Sequence, residues 1–527
     1  MQLPPIILVG VLAAATAGLQ VNLLPATAPP WAGMAILLGG LVLVVASAAV
    51  LVPLTLRSAN RRLALIRASR SAAGARAAVL LLHVVAVLGL GWLDAVRSEL
   101  GDVILLDEIV AVTPALLAIV ATWWIQYPIE RRVRDALMLR HLDRGGPLYP
   151  LLSRGDYVAL HLRCGMLLLL VPILLILGLA ETIDAVAGGF VATDADAGAA
   201  IGWPLDLAKF ASALSVLAIS PLLARAVLTV RPIPQGETRS LLSDVCTRHR
   251  VKVRDILLWN TGGTMINAAV MGLLRPLRYV LMTDALVESM DREEIQAVMA
   301  HEVGHVRRHH MPWLVAALIT AVLGLTALTN LAIVGLVRTS VIDVDGTIPP
   351  VVDIGLLVIQ AAGALALFGW ISRRFERQAD VFAVQHLSGS GVAAATAVPD
   401  SAEVPDTPGA GPRTAVVTGE AVGAMQSALG RIAELNTVSP ERRSWRHGSI
   451  AWRQRYLGTL VGKPLESLAI DRLVRRIKRL TLVSLGAVIA LEAAAFWLLQ
   501  PEPADRDAAS ENVVRCLPAA KSEAPAT

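Results

Sequence analysis

The sequence predicts a mainly α-helical membrane protein with about nine spans and two large polar regions between them. Three observations support this fold class. Of its 527 residues, 55% are hydrophobic and only 17% are charged, whereas soluble domains are about 25% charged. The apolar residues are gathered into long runs, and arginines are concentrated in alternate loops between these runs. A chain with so much apolar sequence needs lipid as well as a packed core.

The apolar runs define the predicted spans. A membrane-spanning helix needs about 20 predominantly apolar residues, and the segments that approach this length are 4–24, 33–56, 77–96, 109–127, 164–183, 207–230, 312–337, 353–372 and 480–499. The first could instead be a signal peptide, because Ala26-Thr27-Ala28 resembles a cleavage site. A signal peptide would carry basic residues at its start, and this segment carries none there. We therefore interpret it as a span.

The loop charges predict the orientation. Loops 57–76 and 128–163 are rich in arginine, while no Lys or Arg occurs in the alternate loops 25–32, 98–108, 184–206 and 339–352. Because basic loops stay on the cytoplasmic side, the N-terminus and both polar regions are expected in the cytoplasm. The residues after 500 are expected outside. The pattern is typical of a multi-pass membrane protein, and we expect it in a bacterial inner membrane.

These assignments divide the chain into six parts. The predicted parts are 1–230, a membrane region with about six spans; 231–311, a compact αβ segment; 312–372, two spans; 373–479, a mainly helical cytoplasmic segment; 480–499, the last span; and 500–527, a disordered tail. Within the fourth part, 388–420 is rich in Ala, Gly, Pro, Ser and Thr and poor in large apolar residues. Such a composition is typical of a flexible insertion.

A metal-binding pattern lies at the end of the αβ segment. Residues 291–305 predict a helix, with Asp291 as the N-cap and Glu294 as its capping-box partner. His301 and His305 are four residues apart and therefore share one helix face, and Glu302 projects beside them. This is the HExxH arrangement, in which two imidazoles hold zinc and a carboxylate takes a proton from water.

Two simpler readings compete with a catalytic site. His309 and His310 follow closely, so the histidines could belong to a solvated, His-rich helix end. A catalytic zinc also needs a third protein ligand, and the best candidate is Glu376, with Asp380 one turn later to orient a ligand imidazole. The stretch around these two acids could instead be a charged helix end beside the bilayer.

The combination of motifs resembles a known family. The HExxH helix, the two spans after it and the pattern Ser-Arg-x-Phe-Glu-x-x-Ala-Asp over 372–380 are similar to the membrane zinc metallopeptidases of gluzincin type that include the CAAX prenyl endopeptidases and the bacterial protease HtpX. The resemblance covers about 231–460. It implies that His301, His305 and Glu376 hold one zinc ion per chain.

The resemblance also implies further site residues. Residues 267–272 and 279–286 are similar to the strand region upstream of the zinc helix, where Asn267 would lie near the substrate. Residues 447–453 resemble a downstream His-Pro motif followed by an arginine, so His447 and Arg453 would contact the substrate or the transition state. Gly448 replaces the usual proline.

The expected function is zinc-dependent cleavage of membrane-associated proteins or peptides at the cytoplasmic face, with Glu302 activating water. The expected partners are a protein or peptide substrate and membrane lipid. Nucleic acid is not expected, because the basic residues form no stripe with interleaved aromatics. Three cysteines without a CxxC pair exclude a disulfide scaffold and a cysteine-rich zinc module. An inactive scaffold and a transporter with structural zinc are the alternatives.

Overall fold

The structure, a computed structural model, describes residues 4–498 with several gaps. The gaps are 17–18, 22, 26–28, 30, 58–60, 145–148, 192–196, 339–349, 396–415, 437 and 467. The predicted tail 500–527, which contains Cys516, lies outside the described residues. The described part is mainly helical, as the sequence predicts.

The first part of the chain forms a bundle of apolar helices. They are α1 (Pro4–Thr16), α2 (Ala32–Leu56), α3 (Arg61–Gly89), α4 (Trp92–Leu100), α5 (Leu106–Arg144), α6 (Arg154–Leu162), α7 (Leu168–Val191) and α8 (Ala197–Val227). Leu8, Leu37 and Leu93 are fully or almost fully buried in its core, whereas Val42 and Leu43 on α2 are exposed. An exposed aliphatic surface on a bundle of this kind suits contact with lipid chains.

Seven helices among the described residues are long and apolar enough to cross a membrane. They occupy Ala32–Leu56, Leu63–Gly89, Leu106–Ala136, Arg154–Gly188, Pro204–Val227, His310–Ile333 and Gly355–Gly389. The chain is thus an integral, multi-pass membrane protein, as the composition predicts.

Two of the predicted spans are not among these seven. In the predicted span 4–24, α1 is only 13 residues long. After it, Val21 and Leu23 donate backbone hydrogen bonds to carbonyls at the end of α3, so this stretch is irregular. The predicted span 480–499 is the apolar end of a longer helix that begins at Ala469.

The predicted αβ segment folds around a four-stranded sheet. Its elements are β1 (Val230–Pro232), α9 (Glu237–Arg248), β2 (Asp255–Trp259), β3 (Ala268–Met271), β4 (Tyr279–Thr283), α10 (Asp284–Ser289) and α11 (Arg292–Arg307). The strand order is β1-β2-β4-β3. The two central strands are parallel and each edge strand is antiparallel to its neighbour. Strand β3 is therefore an edge strand, and it lies against α11.

The remaining helices complete the fold. They are α12 (His310–Arg338), α13 (Pro350–Ala395), α14 (Gly419–Leu435), α15 (Ile450–Gly458) and α16 (Ala469–Leu498). Helices α13 and α16 run without a break across the predicted boundaries at 372/373 and 479/480. No proline lies near these boundaries to end the helix, so the spans continue directly into the polar region.

Both ends of the predicted insertion 388–420 belong to ordered, packed structure. Residues up to Ala395 belong to α13, and Ser388 is fully buried. At the other end, Val417 is buried and exchanges backbone hydrogen bonds with Gly462 and Lys463. The low-complexity composition hid these packed ends, and residues 396–415 lie outside the described part.

The loop charges predict which surface faces the cytoplasm, and cysteine labelling can test this. Cys164 and Cys246 are buried and are poor reporters, so Cys516 is replaced by Ser and one exposed cysteine is added at a time. Asp102→Cys should react with an impermeant thiol reagent in intact cells, because its loop is predicted to lie outside. Arg442→Cys should react only after permeabilisation. The opposite labelling pattern would invert the predicted orientation.

Candidate metal centre

Helix α11 presents the two histidines of the HExxH pattern. It begins at the predicted capping box, in which the Asp291 backbone N–H donates to Glu294 Oε2 at 3.2 Å. Its apolar face is buried against the sheet and α13. Gly304, between the histidines, permits close contact, since a Cβ there would lie 3.1 Å from Phe382 on α13. Packing on both sides fixes the direction in which His301 and His305 point.

Helix α13 brings the third predicted ligand to these histidines. Oxygens of Glu376 lie 3.7 Å from the Nε2 atoms of both His301 and His305. One ligand atom from each of the three residues lies within 4.8 Å of the others, and they are the one such group found among the described residues. Glu376 follows His305 by 71 positions in the sequence, and the structure brings it together with both histidines.

The donor set fits a zinc ion. Two imidazole nitrogens and one carboxylate are the ligands of a catalytic zinc site with an open fourth position. The two Nε2 atoms are 3.2 Å apart, so two neutral imidazoles would bring their lone pairs against each other unless a proton or a cation lies between them. The neighbouring Glu302 supplies a further carboxylate, which favours a cation at this position.

The histidine pKa values show how the site is polarised. Burial lowers the pKa of His301, but hydrogen bonds to Asp380 and Glu376 outweigh it and raise the pKa to about 10. Burial lowers the pKa of His305 to about 4. In the protein without metal, His301 is thus protonated at neutral pH and His305 is neutral. A metal ion that bound through His301 would release one proton from this imidazolium, as metal binding to protonated ligands does.

Asp380 lies behind the site and connects two elements. Its Oδ1 is 2.9 Å from His301 Nδ1, the arrangement predicted for a carboxylate that orients a ligand imidazole. Arg453 on α15 donates two hydrogen bonds to the same carboxylate, at 2.8 and 2.5 Å. The carboxylate of Asp380 is fully buried, and the ion pair with Arg453 balances its charge.

Arg453 therefore has a different environment from the one expected of a substrate-contacting arginine. It is buried, and its third nitrogen, Nη1, lies 3.5 Å from Glu376 Oε2. The carboxylates raise its pKa above the usual range even though burial alone would lower it. Because two of its guanidinium nitrogens donate to Asp380, Arg453 is placed to position the carboxylates of α13. Its direct contact with the transition state stays a prediction.

Glu302 lies between the histidines and the sheet edge. The backbone N–H of Val270, on β3, donates to Glu302 Oε2 at 3.2 Å. The side chain is partly exposed. The protein around the carboxylate removes much of its hydration, and this desolvation raises the pKa of Glu302 to about 7. A carboxylate with a pKa near neutrality can both accept and return a proton, which is the requirement for a general acid–base group.

His447 also reaches the site, despite the departure from the His-Pro pattern. Its Nδ1 lies 2.9 Å from Glu376 Oε1 and its side chain is 49% exposed. Gly448 adopts a positive φ of 75°, and it exchanges backbone hydrogen bonds with Ser444. A proline could not adopt this φ, so this chain positions the histidine with a glycine turn.

Asn267 lies at the edge of the same site region. It immediately precedes β3, and its backbone exchanges hydrogen bonds with Thr283. Its side chain is exposed, three residues before the Val270 N–H that contacts Glu302. This position is compatible with the predicted substrate contact, which stays a prediction.

Sequence reasoning missed the environment of His310. The two histidines after the HExxH pattern could have formed a solvated helix end, but only His309 is exposed, and His310 is fully buried. His309 has a φ of 53° and separates α11 from α12. The turn at His309 brings the His310 ring within 2.9 Å of His305. The adjacent histidines were visible in the sequence, but the direction of the turn was not.

Parts of the chain are similar to known proteins. Residues 239–412 match the model of peptidase family M48. A curated protein of Arabidopsis thaliana described as "CAAX prenyl protease 1 homolog" is 29% identical over 189 residues, which are 33% of this chain and 43% of that protein. The chain thus matches less than half the length of this relative. The crystal structure of S. mikatae Ste24p is 14% identical, with a TM-score of 0.41 over 81% of this chain and 99% of that one.

The ligand set predicts the effect of losing the carboxylate. Glu376→Ala should weaken zinc binding by well over the 10- to 100-fold typical of a lost supporting group, because it removes one of three direct ligands. Zinc affinity of the purified chain in detergent, measured by competition with a chelator, checks this. Glu420→Ala, which removes an exposed glutamate from α14, is the matched control. Undiminished zinc affinity in Glu376→Ala would exclude Glu376 as a ligand.

The Asp380–Arg453 pair predicts a loss of stability. Arg453→Ala should destabilise the fold by about 3–5 kcal/mol, because it leaves a buried carboxylate unpaired. Arg453→Lys should fall between this variant and the native chain, since lysine keeps the charge but not the two-pronged geometry. Thermal unfolding in detergent measures the effect, with the exposed Arg455→Ala as control. Equal Tm values for Arg453→Ala and Arg455→Ala would contradict the structural role.

Proposed function

We propose that this chain, whose residues 239–412 match the model of peptidase family M48, is a zinc-dependent endopeptidase. One observation carries the proposal. His301, His305 and Glu376 converge within 4.8 Å, and Glu302, the residue after His301, has a pKa near neutrality. A purely structural zinc site would have four protein ligands and would not need a proton acceptor beside them.

In this proposal, His301, His305 and Glu376 hold the metal. When bound, zinc supplies a Lewis acid that acidifies water and polarises a carbonyl group. Glu302 accepts a proton from the attacking water and returns it to the leaving amine, because both directions are accessible to a group with a pKa of about 7. The Val270 N–H holds one carboxylate oxygen and leaves the other for this transfer.

Other residues prepare the site for this reaction. Asp380 orients His301 through the Nδ1 contact, and Arg453 holds Asp380 in place. His447 is the best candidate to donate a hydrogen bond to the developing oxyanion, because it is half exposed and already reaches Glu376. Asn267 lies before the edge strand, where it would meet the substrate.

The location of the site supports a membrane-associated substrate. Helices α12 and α13 both contain candidate membrane spans, and the metal ligands lie on α13 and on α11, which directly precedes α12. A polypeptide that is anchored in or bound to the membrane would therefore meet the site at the bilayer surface. The charge pattern of the loops predicts that this surface is cytoplasmic.

Replacing the proton acceptor tests the enzymatic proposal. Glu302→Gln keeps the shape of the side chain but removes its ability to take a proton, so it should retain zinc while losing at least 10²- to 10⁴-fold in turnover. The assay is cleavage of fluorogenic peptides, plain and C-terminally prenylated, by the full chain in detergent.

The matched control is Glu293→Gln, which changes an exposed glutamate on the same helix and should leave turnover unchanged. Turnover by Glu302→Gln close to that of the control would remove Glu302 from the mechanism. Zinc binding without cleavage of any peptide by the native chain would instead favour a scaffold role.

A further inference from the structure

We infer that His310, Gln378 and Asp471 form a hydrogen-bonded relay that sets the tautomer and the orientation of the zinc ligand His305. The inference rests on the proposed function, since it concerns the same metal centre. It assigns a role to residues that the HExxH and Glu376 motifs do not include, and it makes the last helix, α16, part of the site.

The relay is a continuous chain of short contacts. The Nδ1 atoms of His305 and His310 are 2.9 Å apart. On the other side of the ring, His310 Nε2 lies 2.9 Å from Gln378 Oε1. Gln378 Nε2 in turn donates to Asp471 Oδ1 at 2.5 Å. Four side chains from α11, α12, α13 and α16 thus form one line that ends at His305.

The chemistry of the end group fixes the direction of every hydrogen bond. An ionised carboxylate only accepts, so the NH₂ group of Gln378 must face Asp471 and its carbonyl must face His310. A carbonyl also only accepts, so His310 carries its proton on Nε2. The Nδ1 atom of a neutral His310 is then an acceptor, and His305 must donate its own Nδ1–H to it.

The consequence falls on the metal-binding atom. A neutral His305 with its proton on Nδ1 has its lone pair on Nε2, the atom that faces Glu376 and His301. The opposite tautomer would direct an N–H bond at the metal. The relay therefore selects the tautomer that binds zinc, just as a second group bonded to a ligand imidazole does in other zinc sites.

Packing makes the relay rigid. His310 and Gln378 are buried, with Asp471 also closed to solvent at 5% exposure. The His310 ring stacks on Phe375, with centroids 4.4 Å apart and planes inclined by 12°. Burial of three polar groups is costly unless each is bonded, so a break at any link leaves an unsatisfied group beside the ligand.

Asp471 ties the relay to the last helix. It lies in the first turn of α16, and Arg308, at the end of α11, approaches its Oδ1 at 3.5 Å. Lys478, two turns further along α16, donates to the Arg308 carbonyl. Two separate contacts thus hold α16 against the end of the zinc helix.

The two imidazole ligands are consequently supported in different ways. His301 contacts a carboxylate directly, through Asp380 on α13. His305 contacts the imidazole of His310. The carboxylate that directs it, that of Asp471, lies beyond both His310 and Gln378. A relay that served only to satisfy buried polar groups would affect stability, whereas a relay that selects the tautomer also affects the zinc affinity of the folded chain.

The test compares two substitutions at His310 in the full-length chain. His310→Phe keeps a ring against Phe375 but removes the acceptor, and zinc affinity should fall by about 10- to 100-fold. His310→Asn places a side-chain carbonyl near the position of Nδ1, and it should recover most of that loss. His309→Asn, the same change at the exposed neighbour, is the control. Zinc affinity is measured by chelator competition, and folding by thermal unfolding of the metal-free forms.

Native zinc affinity in a folded His310→Phe chain would overturn the relay, and so would equal losses in His310→Phe and His310→Asn. If His310→Phe does not fold, Gln378→Met provides the second break, because it keeps the length of the side chain without a donor or acceptor. Unchanged affinity in that variant would also overturn the inference. A native chain that binds no zinc would contradict the proposed function, and the relay inference with it.

Discussion

The organisation of the polar region depends on two carboxylates buried at one helix contact. Glu376 and Asp380 lie one turn apart on α13, and both are almost completely inaccessible to solvent. A buried carboxylate without a partner costs several kcal/mol, so the fold must bring positive or hydrogen-bonding groups to this face. Helix α11 supplies two imidazoles and α15 supplies Arg453. The elements that satisfy the carboxylates also assemble the proposed metal centre.

The membrane helices and the polar region form one continuous structure. The α13 span and Glu376 belong to one helix without a loop between them. Only a short turn at His309 separates α11 from α12. The sheet contributes from the other side, since the edge strand β3 contacts Glu302 through Val270. Each component of the site is thus held by an element that is packed on at least one other.

The sequence was most informative where local chemistry determines local structure. The capping box of α11, the common face of His301 and His305, and the turn that separates Glu376 from Asp380 all follow from helix geometry, and the structure has them. Helix boundaries were less predictable, because apolar runs identify the part of a helix in lipid and not its polar continuation. The bonding of Asp471 to Gln378 could not be predicted, since the two residues are 93 positions apart and each alone is an ordinary polar residue of a helix. The glycine turn beside His447 could not be predicted either. The family pattern specifies a proline after the histidine, and it says nothing about the backbone conformation that Gly448 adopts in its place.

The unbroken course of α13 links the depth of the protein in lipid to the metal centre. Helix α13 has 46 residues, or a length of about 70 Å at 1.5 Å per residue. A membrane-spanning helix can adapt to the thickness of the hydrocarbon layer by tilting, and Glu376 follows the predicted span 353–372 on the same helix. Because the span and Glu376 share one unbroken helix, a mismatch between the span and the hydrocarbon layer would bear on the position of Glu376 as well as on the span.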